Sequence, residues 1–147
     1  MKVLPHVMRN INEFNIPVGN SHGYEILYFG VNLILMRDYR LAFDVEVKNS
    51  DNQIEVLIIS RKDVLAWKED INNNNNNNGN SEISLYYSRS DVKINDVFRP
   101  AVSDAYAFVL NNSFSNNSGD VKKVEVTLIH NWQQEVKESQ LRDYKEW

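Results

Sequence analysis

Hydrophobic and polar residues alternate along several short stretches of this chain. Within residues 41–48, Leu41, Phe43, Val45 and Val47 would lie on one side of an extended backbone, and the residues between them are mostly polar. A period of two residues indicates a strand with one face buried and the other in water. The stretch therefore predicts a strand in a sheet with one wet side.

The next apolar stretch has a different pattern. Ile54, Val56 and Ile58 would lie on one side of a strand, and Leu57 and Ile59 on the other. Apolar residues on both faces predict a central strand that is covered on both sides. Further strands are predicted at residues 25–35, 83–87, 105–110 and 121–129, with a weaker one at 11–18.

Short strands separated by turn residues favour a sandwich over alternating strand and helix units. We therefore expect an all-β fold, a jelly-roll-like antiparallel β-sandwich over residues 11–132, preceded by an N-terminal extension at residues 1–10. Residues 61–70 predict a helical turn with one apolar side. The low-complexity, Asn-rich stretch at residues 71–81 predicts a disordered loop, because it has almost no apolar area to bury. Residues 133–147 predict a short amphipathic helix or a frayed tail.

Composition and charge exclude several classes of function. The chain has 147 residues, enough for one domain with a hydrophobic core, and no cysteines, which excludes disulfides and Cys-ligated metals. A net charge of -4 with scattered Lys and Arg leaves no basic surface for nucleic acid. No apolar run approaches the length of a secretory signal or the roughly 20 residues of a membrane span. We therefore expect a soluble, cytoplasmic protein.

No combination of residues indicates catalysis. His6, His22 and His130 lack the spacing of zinc ligands, and neither a nucleophile elbow nor a Gly-rich phosphate loop is present. Asp44 and Glu46 would share a strand face about 7 Å apart, as a glycosidase pair could. Alternating acidic residues more often keep the outer face of a strand wet. We expect no enzyme activity, no metal and no cofactor.

Aromatic residues are the candidates for a binding surface, because amphipathic rings anchor many interfaces. Most of them should lie in the core of a sandwich. Trp67 and Tyr86, which lie beside or within predicted loops, are expected to be exposed. With Phe114 and Trp132 they form the predicted set of binding residues.

Residues 106–128 carry a resemblance to a known family. Residues 106–110 form an aromatic strand, 111–115 an Asn-Ser-aromatic-Ser turn, and 122–128 a Lys-Lys-Val return strand. Together they resemble the last hairpin of GOLD domains, the β-sandwiches of the emp24/p24 family, and a looser likeness covers residues 11–132. The resemblance implies a non-catalytic adaptor that binds proteins and is linked to membrane trafficking. The p24 proteins also have a luminal disulfide, a coiled coil, a membrane helix and a basic tail, none of which this sequence shows.

The sequence thus predicts a protein-interaction module whose partner is a protein of open identity. Binding would use an exposed edge strand, or aromatic anchors within a polar rim. The alternative is a carbohydrate- or lipid-binding sandwich. In that case the same aromatics would stack on a sugar, and Asp44 and Glu46 would accept hydrogen bonds from its hydroxyl groups.

Overall fold

A computed structural model describes residues 2–19, 22–73 and 82–137. Within these ranges the chain forms eight strands and one α-helix. The strands are β1 (Lys2–Ile16), β2 (Tyr24–Val31), β3 (Arg37–Val47), β4 (Ile54–Ser60), β5 (Leu85–Asp91), β6 (Lys93–Phe98), β7 (Asp104–Asn111) and β8 (Lys122–Val136). A 3-10 turn at Arg61–Asp63 leads into helix α1 (Val64–Asn73). Among the described residues no helix has the length and apolar character needed to cross a membrane.

Two four-stranded antiparallel sheets make up the fold. Sheet A has the strand order β1-β8-β3-β6, and sheet B has the order β2-β7-β4-β5. Every connection except the one between β4 and β5 passes from one sheet to the other. This alternation is the arrangement of a double-sheet jelly roll. The predicted all-β sandwich is confirmed.

The core lies between the two sheets and follows the alternation of the sequence. In β3, the side chains of Leu41, Phe43 and Val45 point inward and are at most 3% exposed. Tyr106 and Phe108 of β7 meet them from sheet B and are fully buried. Strand propensity and burial agree here, because β-branched and aromatic side chains suit a pleated, half-buried surface.

Strand β4 is covered on both faces, as its pattern predicts. Ile54, Val56 and Ile58 belong to the core between the sheets. Leu57 and Ile59 point to the opposite face, where they pack with residues of α1. Because β4 lies between β7 and β5, it is an inner strand of sheet B. The prediction of a central strand is confirmed.

Helix α1 covers the outer face of sheet B. Val64 and Trp67 are buried against the sheet and Ile71 is partly buried, at positions that share one face of a helix. The predicted helical turn is present and continues further than expected, because residues 71–73 form its last turn rather than a loop. The remainder of the predicted Asn-rich loop, residues 74–81, lies outside the described residues.

Both ends of the predicted sandwich were placed wrongly. Residues 2–10 belong to β1 and pair with β8, so they are part of sheet A and not an extension. Residues 133–136 continue β8 as a strand, and Val136 is only 2% exposed. They are therefore neither helix nor tail, because pairing with β1 holds them extended. Residues 138–147 lie outside the described residues.

Strands β7 and β8 do not form the expected hairpin. β7 belongs to sheet B and β8 to sheet A, so the loop at residues 112–121 crosses between the sheets. Both strands turn their apolar faces to the same core, and a loop of this length can bridge the roughly 10 Å between packed sheets. The residues that carry the GOLD resemblance are thus an inter-sheet crossover.

Candidate functional site

Strand β1 leaves one edge of sheet A open. It pairs with β8 along its whole length, from Lys2 opposite Val136 to Ile16 opposite Lys122. No described strand lies on its other side. Backbone N–H and C=O groups along such an edge are a template for another strand. The edge is 15 residues long.

The exposed side chains of this edge are largely apolar. Val3, Val7, Met8 and Ile11 are 46%, 67%, 48% and 59% exposed. Sequence reasoning missed these residues because both faces of an edge strand meet solvent, so the burial alternation that marks inner strands is weak. The available signal was weak: among the five alternate positions from residue 3 to residue 11, three are aliphatic, and the other two are Pro5 and Arg9.

Two charges of opposite sign lie on the same face of β1. Arg9 and Glu13 are both exposed and are four residues apart in the strand. Glu13 forms an ion pair with Lys123 at 3.2 Å. Within the described part of the chain, Arg9 has neither an ion pair nor a side-chain hydrogen bond.

The outward-facing residues of sheet A form rows that cross all four strands. One row consists of Arg9, Ile129, Ala42 and Val97. The next consists of Ile11, Thr127, Asp44 and Asn95. A third consists of Glu13, Glu125, Glu46 and Lys93. The surface is therefore apolar in part of its centre and charged toward one end, where Glu13 and Glu46 form ion pairs with lysines.

The first two rows border a shallow groove of about 250 Å³. Asp44 lies in it, and its Oδ1 atom is shielded from solvent without a hydrogen-bond partner among the described residues. A buried oxygen of this kind can accept a hydrogen bond from a ligand. Phe43 is the one aromatic residue along the groove, and its side chain is 3% exposed in the core. The groove therefore offers polar contacts but no aromatic platform.

Glu46 lies on the same face as Asp44, as predicted, but in the third row. Its carboxylate is 3.6 Å from the ammonium of Lys48 and 4.0 Å from that of Lys93. Among the described residues no cluster of three or more His, Asp or Glu side chains could hold a metal ion. The two carboxylates thus share a surface, with Glu46 engaged in ion pairs outside the groove.

A buried polar cluster fixes the loop between β7 and β8. Asn112 is fully buried, and its side-chain amide donates to the carbonyls of Ile16 at 3.0 Å, Pro17 at 3.3 Å and Asp120 at 2.8 Å. Its Oδ1 atom accepts a hydrogen bond from Lys122 Nζ. One side chain therefore ties the end of β1 to both ends of the loop.

Lys122 is 1% exposed, and its side-chain hydrogen bonds are to Asn112 and Asp120 of this cluster. Its Nζ donates to Asp120 Oδ2 at 2.6 Å and lies 5.5 Å from the ring centroid of Phe114. Burial raises the pKa of Asp120, but the hydrogen bonds from Lys122, Ser115 and Asn52 outweigh it and hold that pKa below its usual value. A lysine so enclosed holds the loop rather than meeting a ligand.

The four predicted aromatic binding residues lie apart in the structure. Trp67 is 8% exposed, so the prediction that it is exposed is wrong: it lies on the face of α1 that packs on sheet B. Tyr86 is 36% exposed on β5 and donates to Asp104 at 3.2 Å. Phe114 is 49% exposed in the loop between β7 and β8, and Trp132, on β8, stacks on His6 at 5.3 Å. They form no common patch.

No protein-family model and no curated protein matches the sequence. The fold is similar to that of a Bacillus endospore appendage protein, from a family of disulfide-linked pili, with a TM-score of 0.53, 7% identity, and coverage of 92% of this chain and 93% of that chain. At this identity the likeness extends to the fold alone. A CBM4 structure has a TM-score of 0.43, 8% identity, and coverage of 84% of this chain and 71% of that chain.

Proposed function

We propose that this chain is a non-catalytic protein-interaction module that binds a partner strand along the open edge of β1. The observation that carries the proposal is a 15-residue edge with four exposed apolar side chains. An added strand would complete the backbone ladder on that side and cover the apolar side chains. Backbone pairing supplies affinity, and the side chains supply specificity.

The other edges of the two sheets are better protected. β2 has 8 residues, and the guanidinium of Arg61 lies 4.8 Å from the ring centroid of its exposed Tyr28. β5 and β6 have 7 and 6 residues. They carry Arg89, Asp91 and Lys93, the first two 3.6 Å apart. Short length and charge discourage strand addition. β1 is about twice as long as each of these strands, and its charged residues Lys2, Arg9 and Glu13 are spread over 15 residues.

One likeness agrees with an interaction role. The resemblance of residues 106–128 to GOLD domains also implies an adaptor, but these residues form a crossover between the sheets and not the expected hairpin, so neither the proposal nor a link to membrane trafficking rests on it. The Bacillus appendage proteins, which have a similar fold, form disulfide-linked pili. This chain has no cysteines, so a comparable contact would depend on strand pairing and burial.

A double substitution on the edge, Val7→Lys with Ile11→Lys, tests this function. Lysines on an edge strand oppose strand addition because the new ladder would bury their charges. Wild-type and variant chains are immobilised, exposed to native lysate, and compared by quantitative mass spectrometry. Proteins retained by the wild type should fall to roughly a tenth on the variant, as expected when two central contacts are lost.

The matched control is Ile34→Lys with Leu35→Lys. These residues are 82% and 61% exposed in the turn between β2 and β3, so the control loses similar apolar surface and gains the same charge. It should retain the same proteins as the wild type. Equal retention by both double variants would show that β1 is not the binding surface.

A second candidate function is the binding of a hydroxylated ligand, such as a carbohydrate, in the groove of sheet A. The observation that favours it is the buried, unpartnered Oδ1 atom of Asp44. Arg9, Asn95 and Asp96 add further polar groups to the groove. These side chains suit sugar hydroxyl groups better than a lipid chain, and recognition would use hydrogen bonds without ring stacking.

A glycan array probed with the wild type and with Asp44→Ala tests this candidate. Glycans that bind the wild type should be lost with the variant, because the buried acceptor is removed. Binding that is unchanged in Asp44→Ala would place any sugar site elsewhere.

A further inference from the structure

We infer that the strand added to β1 is β1 of a second copy of this chain, paired antiparallel about a two-fold axis at Ile11. The inference rests on the proposed function and names its partner. In this register, residues 6–16 of the two copies form one ladder, and Ile11 of each copy faces Ile11 of the other. Side chains on the outer face of one sheet A then continue onto the outer face of the second.

Charge complementarity fixes the register. With Ile11 at the axis, Arg9 of one copy faces Glu13 of the second, and symmetry repeats the pair. Arg9 has no ion pair within the described residues, whereas Glu13 lies in a row with Glu125 and Glu46. Glu13 pairs with Lys123 on its own sheet at 3.2 Å, and an arginine that faces it from the second copy adds a further opposite charge, which stabilises a pair of strands. Axes at Arg9 or at Glu13 would instead place like charges opposite each other.

Two prolines bracket the same ladder. Proline has no N–H to donate, so it is tolerated on an edge strand but not at a position that must donate to an added strand. In the register centred on Ile11, Pro5 of one copy faces Pro17 of the second, just outside the two ends of residues 6–16. The whole interior of the ladder is therefore free of proline, with one proline beyond each end of each strand.

Two of the four exposed apolar residues of the edge, Met8 and Ile11, gain apolar partners in this arrangement. Ile11, which is 59% exposed in the single chain, meets its own copy at the axis. On the other face of the sheet, Met8 of one copy faces Phe14 of the second. Met8 is 48% exposed, and Phe14 already packs partly against the core. Pairing thus extends the hydrophobic core across the axis.

The product is one sheet of eight strands, because each copy contributes the four strands of sheet A. A two-fold contact uses the same surface on both copies and closes on itself. The open edge of β1 is consumed, and the assembly ends at two copies. A dimer rather than a fibre is the expected species.

Single cysteines test the register directly, because the native chain contains none. Facing residues of an antiparallel pair have Cα atoms about 4.5–5.5 Å apart, within the range of a disulfide. Ile11→Cys should therefore form a covalent dimer under mild oxidation, seen on a non-reducing gel. Val7→Cys is the matched control, since it lies on the same face but about 27 Å along the ladder from its copy. It should still pair, but without a disulfide, and should therefore run as a monomer on the same gel.

Charge reversal gives a second, independent test. Arg9→Glu places two glutamates opposite each other, and Glu13→Arg places two arginines opposite each other. Each exposed substitution should weaken dimerisation by about tenfold or more in sedimentation experiments, since two facing pairs are affected. An equimolar mixture of the two variants should dimerise again, because every facing pair in the mixed dimer is then of opposite charge. Circular dichroism of each variant checks that the sandwich is folded.

The outcomes separate this inference from the proposed function. Cross-linking of Val7→Cys in place of Ile11→Cys would overturn the register, and a mixture that dimerises no better than its components would do the same. A wild type that sediments as a monomer at about 100 µM would overturn self-pairing. If the lysines at Val7 and Ile11 still abolished capture of another protein, the interaction function would stand with a different partner.

Discussion

Asn112 is expected to be the most important polar side chain for the stability of the sandwich. Replacing it by alanine removes its donor bonds to three carbonyls and its acceptor bond from Lys122. Each net hydrogen bond is worth about 1 kcal/mol, and buried groups left without a partner add to the loss. We expect Asn112→Ala to lower the free energy of unfolding by about 4 kcal/mol, a large share of the roughly 5–15 kcal/mol that stabilises a domain.

Urea denaturation followed by circular dichroism measures this loss, and thermal unfolding should show a midpoint lowered by about 10 °C for a chain of this size. Asn116→Ala is the matched control, because Asn116 is exposed in the same loop. Its effect should stay within about 0.5 kcal/mol. Equal midpoints for the two variants would refute the view that the buried cluster holds the loop.

Two further predictions concern two buried side chains, His130 in β8 and Trp67 in α1. Burial lowers the pKa of His130 from its usual 6.5, and its Nδ1 atom lies 2.6 Å from the hydroxyl of Tyr39. Because the pKa of His130 is lower in the folded state, the unfolded chain binds a proton more readily as the pH drops below about 6.5. The fold is then less stable, and the urea midpoint should fall. His130→Gln should flatten this pH dependence. Trp67→Ala should reduce the free energy of unfolding by about 3–5 kcal/mol, measured by the same denaturation, and it should leave capture of a partner by the folded chain unchanged.

The inner strands could be predicted from the sequence because burial imposes a strict period on them. In β3 and β4 every second side chain enters the core, so the period alone gives their location and their inward faces. In β1 both faces meet solvent over most of the strand, and nothing forces its residues to alternate. Residues 2–10 were therefore mistaken for an extension.

The two-residue alternation of apolar and polar residues does not indicate which of the two sheets a strand joins. β7 and β8 would show identical patterns in a hairpin and in a crossover, since either arrangement buries one face of each strand. The sheet that each strand joins is decided by long-range pairing: β7 pairs with β2 and β4, and β8 pairs with β1 and β3. The polar loop between them is anchored by the buried Asn112, whose side chain contacts the end of β1, far away in sequence.

Stability of the single chain does not explain the apolar residues on the edge of β1. Val7 and Ile11 are 67% and 59% exposed, so they bury little area in the monomer. Lysines at these two positions should change the free energy of unfolding by no more than about 0.5 kcal/mol each. The same lysines would lie inside the ladder of a paired edge, where their charges oppose pairing. This surface contributes little to the fold of the single chain and is apolar along an unpaired backbone edge, which is why we propose that it pairs with a second strand.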